Sequence, residues 1–150
     1  MDELKVQYST TQYIVISIGD EQFGIDIRHI DNIVRMQNIT RVPKVPAYLK
    51  GVINLRGEII PVMSLRLKMD LSIDEVTKQT RIIILKMEQH EAIGIIVDSV
   101  KEVVTLDEGQ VEKVSYDKDD KIPFVSAVGK LGEELISLLD IGMIVTEKEV

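Results

Sequence analysis

The chain has no cysteine and no tryptophan, and its aromatic residues are four Tyr and two Phe among 150 residues. Without thiols there is no disulfide, no zinc-thiolate site and no thiol nucleophile, and a reducing compartment suits the protein. Histidine is nearly absent too. His29 and His90 are the only two, and no Asp or Ser pattern surrounds either, so both read as surface residues, His29 in a β segment and His90 in a turn. No apolar run approaches the length of a membrane span. The start, Met1-Asp2-Glu3-Leu4, is acidic, whereas a secretory signal opens basic and continues apolar. The expectation is a soluble, cytoplasmic protein that meets membranes only through other proteins.

Catalytic patterns are also missing. There is no phosphate loop and no G-x-G-x-x-G motif. Asp117-Lys118-Asp119-Asp120 is a poor calcium loop, because it lacks the central glycine and Val128 stands where the last glutamate belongs. Glu133 and Glu134 follow Gly132 at a hairpin. Strand alternation sends them to opposite faces, so they are no acid/base pair. The residues give no catalytic, metal or cofactor site, and the protein reads as a non-enzyme.

What the chain does have is aliphatic: 45% hydrophobic residues, mostly Ile, Val and Leu. That β-branched excess favours strands. Charge is unevenly spread. Residues 1–75 carry 9 basic and 10 acidic groups (−1), and residues 76–150 carry 9 and 15 (−6). Residues 28–68 hold eight basic groups against Asp31 and Glu58 (+6). Opposite signs in two regions suit steering of protein partners. A nucleic-acid-binding small β-barrel is the reading from another class. The acidic total and the single aromatic of the basic stretch, Tyr48, leave little for base stacking and argue against it.

The chain repeats itself. Ile14-Val15-Ile16-Ser17-Ile18 matches Ile83-Ile84-Leu85-Lys86-Met87, and Gly24-Ile25-Asp26-Ile27 matches Gly94-Ile95-Ile96-Val97. Ile30, Ile33 and Val34 match Val100, Val103 and Val104. Leu55, Ile59, Ile60, Val62 and Leu65 stand 76 residues before Leu131, Leu135, Ile136, Leu138 and Ile141. One domain, 1–150, is expected, built of pseudo-repeated units at about 13–80 and 81–150 that trade strands. Five strands per unit leave open edges, which curling into small barrels removes. Short helical turns are expected at 45–50 and 64–69, and a helix over 141–148 capped by Asp140.

Residues 42–65 are the most specific stretch. Pro43 and Pro46 stiffen an extended entry. Val52-Ile53-Asn54-Leu55 and Glu58-Ile59-Ile60-Pro61-Val62 form two strands around a tight Arg56-Gly57 reversal. Asn54 supports that turn through its own hydrogen bonds, and Arg56 presents a guanidinium at a fixed angle or braces against Glu58. Pro61, unable to donate to a ladder, predicts an edge strand.

The run Lys50-Gly51-Val52-Ile53-Asn54-Leu55-Arg56-Gly57-Glu58-Ile59-Ile60-Pro61-Val62 closely resembles the CheW family of bacterial chemotaxis coupling proteins. Phe23-Gly24-Ile25-Asp26-Ile27, Gly94-Ile95-Ile96-Val97-Asp98-Ser99-Val100 and Ile136-Ser137-Leu138-Leu139-Asp140 extend the likeness. It implies an all-β fold of two intertwined five-stranded SH3-like barrels sharing a core, with short helices including one at the C-terminus. It also implies a scaffold joining a CheA-type histidine kinase to the cytoplasmic tips of methyl-accepting chemoreceptors. Carried over residue by residue, Arg56 and Asn54 bear on coupling, and Ile30, Asn32 and Ile33 on receptor binding. Val97, Asp98 and Val100 fall at the repeat-equivalent place, assigned to the groove between the units. Relatives often carry glutamate where Asn32 stands, and Asp where Ser64 stands. The same domain occurs fused to a response-regulator receiver and as the regulatory end of the kinase. Residues 1–150 leave no room for a receiver, but a fragment of either protein would read the same way, so a CheW-like module of a related adaptor or of the kinase is the alternative expectation.

Overall fold

Strands that are apolar on consecutive positions must be covered on both faces, and the Ile82–Leu85 run shows how this chain does it. Ile83 and Leu85 belong to one core, while Ile82 and Ile84 belong to another on the opposite side of the same strand. β1 behaves likewise: Ile14, Ile16 and Ile18 point one way and Val15 the other. A computed structural model describes residues 9–88, 91–114 and 124–145. It shows three cores, two inside curled sheets and a third shared between them. The fold is all-β with short helices, as expected.

In chain order the strands are β1 (Thr10–Ile18), β2 (Glu21–Asp26), β3 (Ile30–Arg35), β4 (Leu49–Leu55), β5 (Glu58–Ser64), β6 (Arg81–Leu85), β7 (Ile93–Val97), β8 (Ser99–Asp107), β9 (Val111–Lys113), β10 (Val125–Leu131) and β11 (Glu134–Leu139). Helix α1 is Leu65–Lys68, and α2 is described over Ile141–Val145. The first sheet runs β8-β1-β2-β11-β10-β9 and the second β3-β6-β7-β5-β4. Each is curled closed. β8 continues through a 3-10 turn into β9, so one bent run stands at both ends of the first sheet. In the second, the chain leaving β3 returns at Thr40 and exchanges two backbone hydrogen bonds with Val52 of β4, at 2.8 and 2.9 Å.

The two sheets have the same internal plan. Each holds an antiparallel hairpin (β1–β2, β6–β7) whose second strand runs parallel to the second strand of another hairpin: β2 to β11, which comes later in the chain, and β7 to β5, which comes earlier. The hairpin β1–β2 joins strands from 99–139, while β6–β7 joins strands from 30–64. The ends of these partner hairpins, β4–β5 and β10–β11, match as well. Ser64 N–H donates to the Tyr48 carbonyl and Asp140 N–H to the Phe124 carbonyl, each at 2.7 Å. The Ser64 hydroxyl then caps α1 by accepting from Leu67 N–H, and the Asp140 carboxylate accepts from Met143 N–H in α2.

Three expectations are corrected. β5 lies between β4 and β7, so Pro61 is not on an edge. Its tolerance is local. Opposite it, Val52 spends its hydrogen bonds on Thr40, and the ladder to β7 begins only at Val62. Residues 45–50 make no helical turn: a reversal closed by Leu49 N–H on the Pro46 carbonyl leads directly into β4. His29 sits in a 3-10 turn, Ile27–His29, capped by the Asp26 carboxylate. His90 and residues 117–120 and 146–150 lie outside the described residues.

Candidate functional site

The β4–β5 hairpin is a two-residue reversal. Arg56 has φ +55° and Gly57 φ +84°, the signs that match strand twist in the tightest hairpins. Asn54 braces it: its Oδ1 accepts from Gly57 N–H at 3.0 Å. Arg56 is exposed, and among the described residues it makes no hydrogen bond or ion pair, Glu58 included. Beside it Ile59 is 58% exposed. A left-handed backbone under a non-glycine residue is strained. Here that strain holds a guanidinium outward next to an aliphatic side chain.

Ile30, Asn32 and Ile33 lie together on β3, which pairs with β6 through a bulge between Ile30 and Asn32. Ile30 and Ile33 are half-buried against the shared core. The half-buried Asn32 accepts from the Ile33 N–H through its side-chain carbonyl at 2.8 Å, so that carbonyl is used locally.

Val97, Asp98 and Val100 do not join those residues. Val97 is fully buried in the shared core and offers no surface, and Val100 is half-buried against it. Asp98 occupies the crossover from β7 to β8, where it pins the two sheets together. Its carboxylate accepts from Arg66 Nε at 2.9 Å, from Arg66 Nη2 at 2.7 Å and from the backbone N–H of Gly19 at 2.7 Å. Arg66 follows β5 in the second sheet and Gly19 lies in the β1–β2 turn of the first. Ser17 and Ser99 share a hydrogen bond at 2.6 Å alongside. The junction on this side is therefore a polar cleft of about 340 Å³ spanned by an ion pair, rather than an apolar groove. Arg66 is 32 positions from Asp98, and no local sequence pattern announces the pair.

The hydrogen bonds from Arg66 outweigh partial burial, and with the Gly19 N–H they hold the Asp98 carboxyl below the usual carboxylate range. A carboxyl depressed in the folded state contributes its stability above the unfolded value, about pH 3.9. That contribution is lost as the pH falls through the folded value. Asp98→Asn is expected to cost about 1–3 kcal/mol at neutral pH and to flatten the acid limb of a stability–pH curve. Urea unfolding across the acid range checks this; an unchanged acid limb would mean the pair is idle.

Among the described residues no three His, Asp or Glu side chains gather as metal ligands, and no helix is long and apolar enough to cross a membrane.

Comparison with known proteins is consistent with this geometry. The model of the CheW-like domain matches residues 12–149. The chain is 30% identical over 139 residues to the chemotaxis protein CheW of Klebsiella aerogenes, covering 92% of this chain and 83% of that protein. It is 34% identical over 128 residues to the chemotaxis protein CheW of Helicobacter pylori, covering 85% and 77%. The crystal structure of the scaffolding protein TtCheW from Thermoanaerobacter tengcongensis superposes with a TM-score of 0.79 at 31% identity, covering 87% of this chain and 89% of that one.

Proposed function

The chain belongs to the CheW-like family, and on that premise we propose that it is a chemotaxis coupling scaffold in the cytoplasm. It joins a CheA-type histidine kinase to the cytoplasmic tips of chemoreceptors. It makes and breaks no bond; it offers surfaces at fixed separation on a shared core. The observation that carries this reading is Arg56, an exposed guanidinium without a partner among the described residues, on strained backbone beside exposed Ile59 at a hairpin tip. An aliphatic anchor with a charged donor at its rim is the composition of a protein-binding spot. β3 supplies a second patch through Ile30, Asn32 and Ile33, where asparagine offers hydrogen bonds but no negative charge to a basic receptor residue. Asp98 and Arg66 serve by fixing the angle between the two barrels, so their loss would act on coupling through geometry.

Co-sedimentation tests the proposal. Kinase mixed with receptor-bearing membranes is expected to enter the pellet in proportion to the amount of this chain added. Kinase that pellets equally well without the chain, or stays in the supernatant with it, would contradict the proposal.

A further inference from the structure

We infer that the mouth of the second barrel carries a further docking groove, which takes an acidic segment of a partner protein bearing one aliphatic side chain. Arg35 and Arg81 are direct cross-strand neighbours at the end of the β3–β6 ladder. Like charges placed opposite each other destabilise a sheet, and among the described residues neither arginine has an acidic partner. The pair borders an open groove of about 750 Å³ that is also lined by Lys78, Met36, Ile39 and Val76 and contains no acidic side chain. Its floor is apolar: Met36 and Ile39 pack against the core inside the second barrel. On its rim, Val76 is 60% exposed.

One of the two guanidiniums is preset. Arg81 Nη1 donates to the Lys78 and Thr80 carbonyls at 2.8 and 2.9 Å. The turn beneath is tied by Thr77 N–H to the Thr80 hydroxyl and by Gln79 N–H to the Thr77 hydroxyl. Arg81 therefore has one edge fixed to the backbone and the other edge open. Two adjacent guanidiniums match a pair of carboxylates, and the apolar floor matches an aliphatic anchor. Nucleic acid fits less well, because the groove lacks an aromatic platform and the chain carries a net charge of −7. The groove is separate from Arg56 and does not depend on the role proposed for it.

The test uses the full chain, isotope-labelled, titrated with the capped peptide acetyl-Glu-Glu-Leu-Glu-amide, with its Gln-Gln-Leu-Gln counterpart and with a short oligo-dT as separate arms. The acidic peptide is expected to shift the amides of Arg35, Val76, Thr77 and Arg81, and to bind more weakly in high salt. Arg35→Glu is expected to weaken it by about tenfold or more while raising the melting temperature, because a repelling pair becomes an attracting one. Arg35→Gln and Val76→Ser give intermediate losses on an unchanged fold. No shift at these amides, equal binding of the Gln peptide, or a preference for oligo-dT would each overturn the proposal. So would a lower melting temperature for Arg35→Glu, which would make Arg35 a structural brace. Sedimentation of the chain alone as a dimer that Arg35→Glu dissolves would also overturn it, since the occupant would then be a second copy.

Discussion

Gly51→Ala is expected to open the second barrel and lower the melting temperature by roughly 5–15 °C. Gly51 sits at the bulge in the β4–β5 ladder with φ +145°, a backbone region that side chains avoid. There is also no room. A Cβ at this place would overlap the Thr40 carbonyl oxygen, with that carbonyl's carbon at 2.7 Å and Ile39 Cγ2 at 2.9 Å. Thr40 is the residue that closes the barrel by its two bonds to Val52. Relief therefore requires either breaking the closure or moving β4, and strain plus overpacking costs about 2–5 kcal/mol. Gly57→Ala is the matched control. Gly57 is also left-handed, but a Cβ there meets nothing within 4 Å, so the loss should be near 1 kcal/mol. Thermal unfolding with hydrogen exchange at the Thr40 and Val52 amides reads both. Unchanged melting and protection in Gly51→Ala would show that the bridge does not hold the barrel shut.

Arg56 is expected to separate stability from coupling. Replacing it with Asn, which tolerates the left-handed backbone of this turn, should stabilise the chain by about 0.5–1 kcal/mol. The same change removes the guanidinium. If that group makes a charge-assisted hydrogen bond to a partner, its loss costs about 1.5–3 kcal/mol, roughly ten- to hundred-fold in affinity. Arg56→Ala should lose the affinity without the gain in stability. Arg56→Lys keeps the charge and loses the planar fork, so partial recovery would point to a charge contact and none to a bidentate one. Calorimetry of unfolding beside pull-down of receptor and kinase makes the comparison. A folded Arg56→Asn protein that captures both partners as well as the parent would remove Arg56 from the account.

The hairpin at 54–58 was readable because a two-residue turn between apolar strands needs positive φ, and Arg-Gly with a flanking Asn advertises it. The duplicated strand pattern was readable because each copy must fill the same kind of curled sheet. Which hairpin joins which sheet was not readable from pattern alone. β1–β2 and β6–β7 have near-identical apolar runs, so either would suit either barrel locally, and only the crossovers at Asp26 and Asp98 decide. Continuous burial also erases phase. In Ile93–Val97 nothing in the residue types tells the shared core from the barrel interior, which is why Val97 read as a groove residue and proved to be core. Pro61 misled because a central strand can bear a proline wherever its neighbours do not require the missing N–H. Arg35–Arg81 and Arg66–Asp98 arise from strand register and tertiary closure, and they leave no local trace.

The proposed scaffold would hold kinase and receptor at the same time on separate surfaces. The most direct measurement is the mass, by size-exclusion chromatography with light scattering, of a mixture of this chain, the kinase regulatory domain and a soluble receptor-tip fragment. A single ternary species is expected, in which the second partner adds without displacing the first. Two binary complexes that exchange as either partner is raised would place both partners on one shared surface and contradict it.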